Sequence, residues 1–303
     1  MTQIIQCIPN FSEGRRPEVV EKIADAISAA GARVIDFSGD PDHNRSVITF
    51  IGDPAAIERG VIAGARQAIE LIDMRAHHGE HPRVGAIDVI PLVPIAGVTM
   101  DDCARLARGV GQAIADKLQI PVYFYESSAA AAHRTNLADI RKGGYEALAA
   151  GRLVGDRAPD AGPDFVHPTA GATVVGARGQ LIAFNVNLAS GDLSLAKRIA
   201  AAIRRARNDG AGMDGVKALG VELSSRGIVQ VTTNITEPDK TTMLDVYEFV
   251  RRQADEAGVE TAESELIGVV RRRDISICTT RSIKLHGFDD TRTLDYWLDR
   301  RPA

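Results

Sequence analysis

The sequence predicts an α/β protein of two subdomains, each a β-sheet carrying helices on one face. Three features lead to that expectation. Short apolar, partly β-branched runs alternate with longer segments of helical hydrophobic spacing through the first half. Residues 151–171, GRLVGDRAPDAGPDFVHPTAG, break the alternation with glycine, proline and aspartate, and a connection of that length usually joins domains or carries function. A shorter series of strands and helices then resumes, which places the boundary near residue 175 and gives subdomains 1–175 and 176–303.

Taken in order, residues 4–8 read as a strand, and NFSEGRR supplies turn signals before Pro17 opens a helix over VVEKIADAISAA, stopped by Gly31. RVIDFS and RSVITFIG form a strand pair around the polar connection GDPDHN. A helix is expected over 55–72, then the proline-broken strand AIDVIPLVPIAG, a helix over 99–117 and the strand VYFYES. Beyond the long connection, ATVVGARGQLIAFNVNL reads as a strand pair, 193–208 as an amphipathic helix, VKALGVEL and IVQVTTNI as strands, and 242–257 as a helix. The second subdomain is thus expected to be of the ββαβ kind.

The 303 residues are 45% hydrophobic and 25% charged, enough for a sizeable core. A formal charge of −4 gives no electrostatic reason to bind nucleic acid or an anionic membrane. The opening MTQIIQCIPNF has neither a basic nor a long apolar segment, and no later apolar run reaches membrane-spanning length. A cytoplasmic protein is expected. Cys7, Cys103 and Cys278 are widely separated and read as reduced thiols.

Four clusters carry candidate chemistry. In HHGEHPRVGAID, His77 and His81 stand four apart, as zinc-binding histidines do on a helix. Gly79 and Pro82 work against that helix, and a zinc protease would need Glu where His78 stands. No metal is expected. His77 and His78 read as solvated helix-end residues. His81 reads as an acid/base group before an apolar strand, with Glu80 or Asp88 as partners able to fix its tautomer. In GDPDHNRS, Asn44 and Arg45 precede a strand; the planar Arg fork suits a carboxylate, while a capped hairpin turn is the plain alternative. In NFSEG, Asn10 or Ser12 can cap the following helix or hold an anion. Last, GPDFVHPTAGATVVGAR with FNVNL sets small residues beside Phe165, His167, Asn185 and Asn187, where a flat heterocycle could approach the backbone and meet amide side chains.

In this order and spacing, CIPNFSEG, GDPDHNRS, GEHPRVGAID, the GPDFVHPTAG loop, GATVVGAR and LIAFNVNL resemble the glutamate formimidoyltransferase family, also found fused to a cyclodeaminase in the animal bifunctional enzyme. The resemblance runs from about residue 4 to 268, and the chain is expected to be the transferase alone. It implies two mixed-sheet α/β subdomains with helices on their outer faces, the sheets facing each other across a folate-binding tunnel. It further implies transfer of a formimino group from N-formimidoyl-L-glutamate to N5 of tetrahydrofolate, a step of histidine breakdown. By position the catalytic histidine falls on His81, with Glu80, Arg83 and Asp88 around it. The folate-binding stretch falls on Gly162, Pro163, Asp164, Phe165, Val166, His167, Pro168, Thr169, Ala170 and Gly171. Asn10, Asn44, Arg45, Arg178, Asn185 and Asn187 are candidates for holding substrate, Arg45 or Arg178 gripping a carboxylate. Tetrahydrofolate is the co-substrate, and a homodimer is the family's expected assembly. HPTAG stands near where animal members carry an aromatic residue, so stacking on the pterin is either missing or supplied by Phe165, and the chain after Gly268 departs from the usual end. Two other functions fit the same residues: a relative using a formyl donor such as 5-formyltetrahydrofolate with glutamate as acceptor, and a folate-binding module without turnover.

Overall fold

The structure, a computed structural model, describes residues 2–300 apart from the side chains of residues 277 and 278. The chain divides into two compact units, Met1–Gly179 and Gln180–Ala303.

The first unit is a seven-stranded sheet. Strands β1 (Ile4–Cys7) and β2 (Asn10–Phe11), interrupted at Pro9, share one row. Each pairs antiparallel with β4 on one side and β5 on the other. Helix α1 (Pro17–Ala29) starts on its proline and leads into the hairpin of β3 (Arg33–Asp40) and β4 (Arg45–Gly52). Helix α2 (Pro54–Leu71) is capped by Asp53 and followed by a long loop to β5 (Ile87–Ala96). Helix α3 (Met100–Leu118) opens on a reciprocal Thr99–Asp102 capping box, and β6 (Val122–Glu126) follows it. Two short helices, α4 (Leu137–Ile140) and α5 (Gly144–Ala149), precede β7 (Thr173–Ala177). Strands β5, β7 and β6 run parallel, so the sheet is mixed. Ile23 and Ile27 of α1, Ile57 of α2 and Ile114 of α3 pack in one cluster with Ile48, Phe50, Leu92 and Val175 of the sheet. Three helices therefore share one face, and Val89, Tyr123, Tyr125 and Val174 form a smaller cluster with Leu148 and Leu153.

The second unit runs β8 (Ile182–Leu188), α6 (Leu193–Asn208), β9 (Val216–Leu223), β10 (Ile228–Ile235), α7 (Met243–Asp255) and β11 (Thr261–Ile267). Its four strands lie in the order β11-β8-β10-β9, every pair antiparallel. That is the split βαβ arrangement of a βαββαβ unit. Phe184, Val186, Val229 and Val231 meet Ile199, Ile203, Val246 and Val250 of the two helices in its core. Helices α8 (Ile277–Ser282) and α9 (Leu294–Asp299) follow, with Ile283 and Leu285 joining the same core.

Two details differ from the sequence reading. ATVVGAR and LIAFNVNL are not a pair: β7 lies between β5 and β6, and β8 belongs to the other sheet. The unit boundary follows Gly179, because β7 completes the first sheet. Strand β11, unread in the sequence, closes the second sheet beside β8. Its alternation TAESELI carries two glutamates on the outward positions, which hides the strand signal. Cys7 and Cys103 are buried thiols, pushed toward the protonated form by burial, and the side chain of Cys278 lies outside the described residues. No helix among the described residues is long and apolar enough to cross a membrane.

Candidate active site

The loop carrying His81 is held from both sides. Helix α2 ends at Leu71, so His77 and His81 do not share a helical face. His77 is buried, contrary to its reading as a solvated residue. Its Nδ1 lies 3.1 Å from Arg83 Nε, which can only donate, so Nε2 carries the proton given to the Asn44 carbonyl at 2.8 Å. Burial holds this imidazole below the ordinary range. Asn44 sits at the start of β4 with φ 47°, a left-handed conformation that Asn tolerates. Its Oδ1 accepts from the Gly14 N–H (3.1 Å) and its Nδ2 donates to the His78 carbonyl (2.9 Å). One amide thus joins the β3–β4 turn, the NFSEG turn and the His81 loop.

Beyond His81 the loop is tied to other partners. Arg83 forks onto Glu146 of α5 at 2.9 and 2.6 Å. Asp88, 1% exposed, accepts from the Val84 N–H (3.0 Å) and pairs with Arg141 at the end of α4 through Nε (3.2 Å) and Nη2. Ser12 donates to the Gly85 carbonyl (2.8 Å). It does not cap α1, nor does Asn10, whose Nδ2 reaches the Ile8 carbonyl (2.8 Å). Glu13 serves that helix start instead, accepting from the N–H groups of Arg15 and Arg16.

The His81 ring is half-buried. Its Nδ1 lies 2.7 Å from the Pro82 carbonyl, which can only accept, and the donor Arg45 Nη1 lies closer to Nε2 than to Nδ1, so Nδ1 bears the proton and Nε2 the lone pair. Arg45 Nη1 lies against the ring, 2.5 Å from Nδ1 and in contact with Nε2. Pro82, rather than Glu80 or Asp88, therefore fixes the tautomer. Glu80 is exposed, with its backbone N–H on the Asp42 carbonyl (3.4 Å). Desolvation, then repulsion from Arg45 and Arg141, holds the His81 imidazole well below its ordinary range. The group is neutral near pH 7 and able to accept a proton.

No carboxylate among the described residues lies within ion-pair distance of Arg45, and its buried Nε has no hydrogen-bond partner. Burial and the neighbouring Arg141 work against its charge, and Asp88 offsets them only partly. Since a guanidinium keeps its proton, the position is poised for a carboxylate. His43, which the sequence reading passed over, is 8% exposed, has an unpartnered Nε2, and its ring centroid lies 6.0 Å from that of His81. Arg141 also went unread, because residues 127–150 offer only short helical runs.

The stretch 162–171 lies beside this loop. Ala86 N–H donates to the Ala170 carbonyl (2.8 Å), Ala172 N–H to the Val84 carbonyl (3.0 Å), and Met74 N–H to the Thr169 carbonyl (2.8 Å). His167 Nδ1 accepts from the Ala170 N–H (3.0 Å), and burial lowers this imidazole too. Gly162 and Gly171 both take positive φ. Asp164 pairs with Arg152, Val166 packs inward, and Phe165 is 56% exposed. Arg178, at the far end of β7 with its N–H on the Leu92 carbonyl, stands roughly 13 Å further along the strands than the Val89–Val174 level. Asn185 and Asn187 lie on β8 of the second unit. Asn187 is fully buried and engaged by Glu265 (2.8 Å), Glu263 (3.3 Å) and Gln230 (2.9 Å). No group of three or more His, Cys, Asp or Glu among the described residues is arranged to hold a metal ion.

Two family models match the chain: the formiminotransferase domain, N-terminal subdomain, over residues 4–178, and the formiminotransferase domain over residues 183–282. The second match continues past Gly268, where the sequence reading ended the resemblance. Glutamate formimidoyltransferase of Streptococcus pyogenes serotype M1 is 40% identical over 290 residues, 95% of this chain and 96% of that one. The protein of the same name from Thermoplasma acidophilum is 41% identical over 300 residues, 98% of each chain. Formimidoyltransferase-cyclodeaminase of Rattus norvegicus is 42% identical over 274 residues, 89% of this chain and 50% of that one.

Proposed function

The chain belongs to the glutamate formimidoyltransferase family, and from that premise we propose that it moves a formimino group from N-formimidoyl-L-glutamate to N5 of tetrahydrofolate with His81 as the proton carrier. The products are 5-formimidoyltetrahydrofolate and L-glutamate. What supports the role of His81 is the state of its ring, neutral by desolvation and with Nδ1 committed to the Pro82 carbonyl.

The chemistry asks for one such group. N5 adds to the amidine carbon and a tetrahedral intermediate forms. The attacking nitrogen then loses a proton, and the departing glutamate nitrogen gains one. Nε2 of His81 takes the first proton and returns it in the second transfer, so the ring ends as it began. Arg45, which pairs with no carboxylate among the described residues, grips a carboxylate of formimidoylglutamate; engaging that carboxylate draws Nη1 off His81 and frees Nε2. The 162–171 stretch holds the folate, with Phe165 as an exposed ring for the pterin to stack on.

By family resemblance the enzyme works in the cytoplasm, in histidine breakdown, as a homodimer; light scattering giving a monomer mass at working concentration would count against the last. The reaction itself is tested by incubating purified protein with both substrates. Glutamate should appear in step with loss of tetrahydrofolate, and not when either substrate is omitted. Release of glutamate without tetrahydrofolate would mean hydrolysis instead of transfer.

A further inference from the structure

Arg141 lies outside the motifs read from the sequence, yet it reaches the candidate site. Its guanidinium pairs through Nε and Nη2 with both oxygens of Asp88, and the same carboxylate receives the Val84 N–H. One buried charge pair therefore joins α4, the start of β5 and the exit of the His81 loop. Glu146 on Arg83, and the Tyr145 N–H on the Arg83 carbonyl (2.8 Å), add a second attachment from α5. A buried ion pair is a weak device for stability, since apolar residues of similar volume often serve as well. Its placement at the exit of the His81 loop gives it another use.

We propose that Arg141 is a positioning residue for the transfer reaction: paired with Asp88, it fixes the loop carrying His81. The inference rests on the proposed role of His81. Arg45 and His43 lie against the His81 ring, and the charge of Arg141, itself bound to Asp88, lowers that imidazole further. Arg45 changes partner when a carboxylate arrives. Arg141 does not, so it alone supplies a constant field that disfavours the imidazolium, while its planar fork holds Asp88 and, through it, Val84.

The test compares Arg141→Gln and Arg141→Lys with wild type and His81→Ala, measuring kcat and KM for both substrates and the pH profile of kcat/KM, with thermal unfolding as the check on folding. For Arg141→Gln, kcat should fall about tenfold to a hundredfold, as a displaced catalytic group does, with each KM within about threefold of wild type. Its acid limb should move up toward the ordinary histidine value of about 6.5. Arg141→Lys keeps the charge and loses the fork, so its acid limb should stay with wild type while kcat falls. A purely structural role would lower activity in both variants without moving the limb in either, and that result overturns the proposal. So does wild-type behaviour of Arg141→Gln. Should Arg141→Gln fail to fold, Asp88→Asn, which leaves the Arg141 charge without its carboxylate, must lower kcat and move the acid limb further down, and an unmoved limb overturns the proposal. Wild type without transfer would overturn the reaction together with this inference; active wild type beside an unchanged Arg141→Gln would overturn this inference alone.

Discussion

Desolvation and two neighbouring guanidiniums keep the His81 imidazole neutral below the pH at which a free histidine would charge. The sign follows directly: a base active in its neutral form, with a lowered folded pKa, loses activity only as pH falls through that lowered value. Thus kcat/KM should hold its plateau below pH 6.5, and an acid limb at or above about 6.5 in the wild type would contradict the environment described. Arg45 makes a separate prediction. A charge-assisted hydrogen bond is worth about 1.5–3 kcal/mol. Arg45→Met should therefore raise KM for formimidoylglutamate about tenfold or more while folate binding, followed by fluorescence titration, stays the same. An unchanged KM would remove Arg45 from the carboxylate site. His81 and Arg45 stand out as candidates in the sequence itself, since a histidine before an apolar strand and an arginine opening another are local patterns. Their partners do not. Glu80 and Asp88 are near His81 in the chain, but the Pro82 carbonyl takes its proton and Asp88 turns to Arg141, fifty-three residues away.

At the scale of elements, the site exists because two loops are laced together. The lacing depends on Gly171, whose φ is +72° and whose absent Cβ would stand 2.5 Å from the Val84 carbonyl. Gly171→Ala should cost at least about 2 kcal/mol, from left-handed strain plus the clash, and should weaken folate binding. Gly210→Ala offers the control: φ is +67° but nothing lies within 4 Å, so only the strain term of about 1 kcal/mol applies. Equal denaturation midpoints for the two variants would mean that the lacing contributes little. Helices were the most legible elements, because 55–72, 99–117 and 193–208 carry long apolar stripes and clear caps. Strand partners were harder. The short apolar run in ATVVGAR shows a strand but not which sheet receives it, and only the parallel pairing to Val89–Leu92 and Val122–Glu126 decides that. Segment 137–149, too short for a helical period to register, supplies both Arg141 and Glu146.

For the whole molecule, His77, His81 and His167 share a lowered pKa with burial as its first cause. Each binds a proton in the unfolded chain near pH 6.5 that the folded chain refuses, so acid favours unfolding. Thermal midpoints should be steady from about pH 8 to 7 and begin to fall below about 6.5, ahead of the carboxylate range; a midpoint flat down to about pH 5 would show these rings to be less buried than described. The division into a seven-stranded mixed sheet and a βαββαβ unit was foreseen as two α/β halves, and residue patterns alone carried that far. The reaction was reached through six motifs in order, whose meaning lies in family resemblance rather than in periodicity. Its central claim, a formimino transfer run by His81, is tested most directly by following glutamate release from N-formimidoyl-L-glutamate and tetrahydrofolate in wild type and His81→Ala, with folate binding measured on both. The expected result is tetrahydrofolate-dependent release by wild type, slowed by about 10²–10⁴-fold in His81→Ala with folate still bound. Full activity in His81→Ala, or a folate-binding wild type that releases no glutamate, would contradict it.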